Sequence, residues 1–177
     1  MIHLLQPGIG KSSIDKEIEP LKIDLPDEVY TLYSCKNGTS EGLNYNLGQL
    51  WIFPLGQFSS LEDSLRAYRS FVGRDDFWKK EMFMLFMSGG GELFLLDCDK
   101  QSPTFKMILL HSVGATDYEV IITIYDSLES LFATTIECLE SGAYYYDKSG
   151  TLNHDMRKEK VIAKKYNPKS AYWRLYD

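Results

Sequence analysis

Residues 81–98 read EMFMLFMSGGGELFLLDC, two apolar runs joined by Ser88-Gly89-Gly90-Gly91. Each run has the length and composition of a strand, and so short a glycine-rich link suits a hairpin. A phosphate cradle is a poorer reading of Ser88–Glu92. No Lys-Ser/Thr pair follows the glycines, and a strand comes next where a phosphate loop needs a helix. Two more strand segments, Phe105–His111 and Glu119–Tyr125, follow across turns at Ser102-Pro103 and Gly114-Ala115-Thr116-Asp117. Strands in such close succession predict antiparallel pairing. The intervening helices that a doubly wound nucleotide fold requires are missing.

Helices flank this block on both sides. Upstream, Ile14–Gly38 (IDKEIEPLKIDLPDEVYTLYSCKNG) reads as two short helices. Pro26 suits the start of the second, Asp27 and Glu28 its first turn, and Asn37-Gly38 a left-handed stop. After a polar loop over Thr39–Gly48, Gln49–Phe53 has strand character. Leu61, Leu65, Tyr68 and Val72 then mark an amphipathic helix behind Ser59 and Glu62 as a capping box. Downstream, Ser127–Ser141 is a helix with Asp126 and Glu129 as its cap signal and Gly142 as its stop. Its apolar stripe is Leu128, Leu131, Phe132, Ile136 and Leu139. Ala143–Tyr146 is a short aromatic strand, Lys148-Ser149-Gly150 a turn, and Asp155–Tyr166 a basic helix. The pattern predicts an α+β fold, a mostly antiparallel sheet flanked by helices. One domain spans residues 1–150, and a basic helical tail, residues 151–177, packs on or extends it.

The 177 residues carry a formal charge of -6, unevenly spread. Residues 1–150 hold 12 Lys and Arg against 22 Asp and Glu, whereas residues 151–177 hold 7 against 3. An acidic body repels nucleic acid and attracts a basic partner, and the basic tail has the option of pairing with that body. No apolar run approaches the roughly 20 residues that span a bilayer, and the first residues lack the basic flank of a signal peptide. A cytoplasmic protein is expected, with its three widely spaced cysteines, Cys35, Cys98 and Cys138, reduced.

Ionisable residues give few chemical constellations. His3, His111 and His154 have no metal-ligand neighbour at helical or hairpin spacing, so neither metal nor cofactor is expected. A nucleophilic pair of Cys98 or Cys138 with His111 is open on sequence grounds, as is an acid/base pair of Asp97 and Asp99 on one strand face. The bland readings are structural cysteines and a solvated sheet end. A third reading places Asp97 and Asp99, with Glu92, in an acidic patch that meets a partner, and Glu62 and Asp63 are further partner-binding candidates. Tyr144, Tyr145, Tyr146 and Trp173 are candidate interface anchors if exposed, with burial against the tail as the alternative.

The order of these segments resembles the SUKH superfamily, the Smi/Knr-type domains. Ile14–Gly38 is similar to its opening, with Leu25-Pro26 between the helices and Asn37-Gly38 at the close. Trp51-Ile52-Phe53 leading to Ser60-Leu61-Glu62-Asp63 resembles its next strand and helix. Phe83–Asp97 (FMLFMSGGGELFLLD) resembles its glycine hairpin, and Ser127-Leu128-Glu129-Ser130-Leu131-Phe132 its late helix. Together these cover about residues 12–142. Lys22 stands where the common Leu-Gly-x-x-Leu-Pro version has glycine, and residues from Thr151 onward have no counterpart. The resemblance implies a protein-binding, non-enzymatic domain. Many bacterial members neutralise a polymorphic toxin, often a nuclease, by direct binding, and fungal relatives regulate cell-wall and signalling proteins. An immunity protein for a cognate toxin is therefore the first expectation. A regulatory scaffold is the alternative, and a small hydrolase using Asp97, Asp99 or Cys98 is the second alternative.

Overall fold

The apolar runs leave neither sheet face fit for water, and the computed structural model covers both. It describes residues 4–39, 47–73, 78–112 and 120–175. Six antiparallel strands pair in chain order: β3 (Trp51–Phe53), β4 (Gly56–Phe58), β5 (Met82–Met87), β6 (Glu92–Asp97), β7 (Ile108–Ser112) and β8 (Val120–Tyr125). The glycine hairpin sets the register of β5 on β6, with Phe83 opposite Leu96 and Phe86 opposite Phe94, and an irregularity between Met84 and Phe86 bends the pair. Alternate residues serve opposite faces. Phe83, Leu85, Phe94, Leu96 and Ile108 join a large cluster on one face. Met82, Met84, Leu93, Leu95 and Leu109 join a smaller one with Trp78 on the other.

The large cluster receives the helices: Ile14 and Ile18 from α1 (Lys11–Ile18), Val29 and Tyr33 from α2 (Asp27–Cys35), and Leu61 and Leu65 from α3 (Leu61–Phe71). From the other end come Leu128, Leu131 and Cys138 of α4 (Leu128–Glu140). The C-terminal segment shares this core. Strands β9 (Tyr144–Tyr146) and β10 (Leu152–His154) form a hairpin, α5 (Met156–Tyr166) packs on α4, and α6 (Ala171–Arg174) packs on β8. Leu152, Ile162, Ala163 and Trp173 are all buried in it. The α+β architecture thus follows the sequence reading, while β1 (Leu5–Pro7), β4, β10 and α6 are elements that reading did not contain.

Helix ends differ from expectation in an instructive way. Pro26 is the N-cap of α2, one residue outside the helix, and α2 ends at Cys35 with Lys36 already extended. Asn37 and Gly38 do not stop it; they lie in β2 (Lys36–Thr39), which pairs with β1. Gly38 has φ +78° because the chain passes so close to α3 that a Cβ there would come within 2.3 Å of the Ser60 nitrogen. Asn37 Oδ1 accepts from Leu61 N at 2.9 Å and so helps to cap the next helix in the chain. The N-cap of α3 is Ser60, whose Oγ accepts from Asp63 N at 3.0 Å, one residue beyond the expected Ser59 and Glu62. In α4 the capping box is Ser127 with Ser130. The expected cap residue Asp126 instead accepts from Lys169 N at 3.0 Å, binding the C-terminal segment to the end of β8. The third strand begins at Ile108, because Phe105 and Lys106 are taken up in a turn. The expected turn at Gly114–Asp117, most of the loop at 39–48, and His3 lie outside the described residues.

Candidate functional site

Beside β8 the C-terminal segment walls the space over the sheet into a groove of about 540 Å³. Its floor is the large-cluster face of the sheet at Phe94, Leu110, Ile124 and Tyr125. Glu92 and Ser112, cross-strand partners, mark one end. The Pro54-Leu55 turn between β3 and β4 forms a lip, and Tyr172 and Trp173 of α6 form an aromatic wall. Met156, Arg157 and Lys160 of α5, with His154 of β10, complete the rim. A mostly apolar concavity with few polar groups is the usual form of a binding site.

One buried carboxylate organises this rim. Glu159 is 4% exposed, accepts from Tyr144 Oη at 2.6 Å through Oε1, and meets His154 Nδ1 through Oε2. Burial first, and then the charge of its neighbours, pushes the Tyr144 phenol well up, so it stays a donor. The hydrogen bond to Glu159 holds the His154 proton more tightly than usual, against the opposing effect of burial. The Glu159 charge is thereby matched inside the protein. Arg157 and Lys160 make no side-chain ion pair among the described residues. Sequence reasoning passed over this network, although a signal existed. Glu159 is the one acid in the basic helix MRKEKVIAKKY and shares a face with Ile162 and Ala163 at i+3 and i+4.

The expected partner-binding residues fall in separate places. Asp97 is 3% exposed and cannot contribute to an acidic patch: its Oδ1 accepts from Asp99 N at 2.9 Å and its Oδ2 from Thr104 Oγ1 at 2.6 Å. Asp99 lies past the strand end, with Oδ1 accepting from Gln101 N at 2.9 Å. The two carboxylates brace the turn before β7, whose backbone donors need acceptors, and do not form an exposed pair. Glu62 and Asp63 remain at the surface of α3, both paired with Arg66 at 3.2 and 3.1 Å. Glu92 lies at the groove, bonded to Ser88 Oγ. Tyr144 and Trp173 are buried, which removes them as surface anchors; Tyr145 and Tyr146 are exposed on β9. Of the nine, only Glu92 and Trp173 reach the groove.

The proposed nucleophilic pairs are not assembled. Cys98 and Cys138 belong to the large cluster, whereas His111 pairs across strands with Leu93 and Ile121 on the opposite face. Burial pushes the Cys138 thiol up to about 12 and the Cys98 thiol higher still, so neither is a thiolate near neutrality. Among the described residues no three or more His, Cys, Asp or Glu come together as a metal site, and no helix is long and apolar enough to cross a membrane. Exposed carboxylates on α1, α2 and their link are Asp15, Glu17, Glu19, Asp24 and Asp27. The basic tail makes one ion pair with the body among the described residues, Lys165 with Glu137 at 2.5 Å.

The order of these elements matches a known domain: the model of the SMI1 / KNR4 family (SUKH-1) fits residues 8–134. The chain belongs to this family. Comparison with curated proteins returns no match. The SUKH-1 match takes in the whole six-stranded sheet and stops within α4. The rim and aromatic wall of the groove, from His154 to Trp173, therefore lie beyond the matched region, laid onto the family sheet by this chain's own C-terminal segment.

Proposed function

We propose that this SUKH-1 domain is a cytoplasmic immunity protein that neutralises a cognate toxin by direct binding, without cofactor or chemistry of its own. Family membership carries the reading. The acidic balance of residues 1–150 supports a basic partner, such as a nuclease, because long-range attraction raises the association rate. The exposed Glu62, Tyr145 and Tyr146 and the half-buried Asp63 and Asp99 are among the expected partner-binding residues that remain open to such a partner. An Asp97 held by two donors, thiols whose pKa is raised and a separated histidine supply no working nucleophile among the described residues, which supports a binding role over the hydrolase reading. The same family name favours one other reading, a regulatory domain of Smi/Knr type that binds a signalling or cell-wall protein.

Co-expression with the toxin domain encoded beside its gene separates the two. Restored growth and a salt-sensitive complex of the purified proteins are expected for an immunity protein. No rescue and no complex would overturn that reading in favour of the regulatory one.

A further inference from the structure

We infer that the groove between the sheet and the C-terminal segment is a binding site for a small amphipathic monoanion, an apolar body bearing a carboxylate. Three independent features of the groove carry this, and none depends on the immunity reading.

The first is its shape and lining. At about 540 Å³ it has the volume of a small-molecule site, and Phe94, Leu110, Ile124 and Tyr125 give it an apolar floor. The second is charge. Glu159 and His154 satisfy each other, and of the charges left on the rim, Arg157 and Lys160 outnumber Glu92 by one. One net positive charge matches a monoanion better than a phosphate ester, which carries close to two negative charges at neutral pH. Arginine also offers the paired donors that a planar carboxylate accepts. The third is the aromatic wall. Tyr172 and Trp173 line the groove as an edge-to-face pair with ring centroids 4.9 Å apart, a surface that suits an apolar body.

The lip agrees with this assignment. Leu55 occupies the β3–β4 turn at φ +66°, where glycine or asparagine is the usual choice, and is 45% exposed. The left-handed backbone of a non-glycine is strained, so an apolar side chain held open there fits a contact with an apolar ligand.

The test uses the full chain with decanoate and indole-3-propionate, each set against its uncharged amide, in calorimetric titration and in NMR spectra of the indole N–H groups. One carboxylate per chain is expected to bind, with the amide about tenfold weaker or worse, as for loss of a charge-assisted contact. The indole signal that disappears in Trp173→Phe should be the one that shifts. Arg157→Glu with Lys160→Glu, both at the helix surface, should leave the melting curve in place and weaken carboxylate binding about tenfold or more. Absence of binding by both carboxylates, equal binding of acid and amide, or indifference to the double reversal would each overturn the assignment. Sedimentation in parallel distinguishes a second copy of the chain as the occupant. A dimer that the reversals dissociate, with no carboxylate bound, would also overturn it.

Discussion

Replacing Trp173 by alanine tests whether the C-terminal segment belongs to the same cooperative core as the family sheet. The indole is 5% exposed, and its ring centroid lies 4.9 Å from Tyr172 in an edge-to-face contact and 6.4 Å from Tyr125. A buried tryptophan removes roughly 200 Å² from water, or about 5 kcal/mol at 25 cal/mol per Å², and this is an upper value because the unfolded chain is itself partly compact. The adjoining groove gives the neighbours space to relax, which lowers the cavity cost. The expected loss is therefore about 3–5 kcal/mol for alanine, with Trp173→Phe costing distinctly less because a ring still meets Tyr125 and Tyr172. Urea unfolding should be followed by circular dichroism and by the fluorescence of Trp51 and Trp78, which report on the sheet side. A single transition at lower urea with unchanged slope is expected from both probes. A loss below about 1 kcal/mol, or an early transition seen only by circular dichroism, would mean that the tail folds apart from the sheet and would refute the reasoning.

Leu131 and Ile136 belong to one apolar stripe in the sequence, but Leu131 is 0% exposed and Ile136 is 54% exposed, so Leu131→Ala should cost about 2–5 kcal/mol and Ile136→Ala within about 0.5 in the same urea assay. Asp97→Ala should cost about 1–3 kcal/mol by stripping acceptors from Asp99 N and Thr104 Oγ1. Glu62→Lys, at a side chain 84% exposed, should change thermal stability little while slowing association with a basic partner at low salt; a partner rate indifferent to both charge and salt would count against steering. The His154 pKa is raised in the folded state by its bond to Glu159, so the folded form holds the proton more tightly than the unfolded chain. The stability from this pair is complete below the ordinary value of 6.5 and is lost as pH rises through the folded value. Urea midpoints measured upward from pH 6.5 should fall for the wild type and show no such fall for His154→Asn; equal slopes for the two would refute it.

What the sequence determined by itself was whatever short-range physics decides. Residues 82–87 are apolar without a break, and a strand of that kind must be covered on both faces, so the sheet and its flanking helices were legible before any coordinates. The triple glycine between two such runs left hairpin pairing as the natural reading, and Ser88 N does donate to Glu92 O at 2.8 Å. The same local rules misplaced the ends of helices, because Ser59 and Ser60, or Asp126 and Ser127, are alternative cap acceptors until the path of the chain chooses between them. Asn37-Gly38 shows why. As a dipeptide it suits a helix stop, but the approach of β2 to the start of α3 is a contact between segments more than 20 residues apart, and it takes both the glycine dihedral and the asparagine oxygen for itself. The face of α4 that is buried, the withdrawal of Asp97 and Tyr144 from the surface, and the groove belong to the same category. Glu159, His154 and Tyr144 come together only when the β9–β10 hairpin turns α5 back onto α4, and Trp173 reaches Tyr125 only after α6 has crossed β8. Side-chain type sets what each of these residues is able to do, but charge matching and burial depend on distances in space, and those distances are set by how the last elements pack on the sheet.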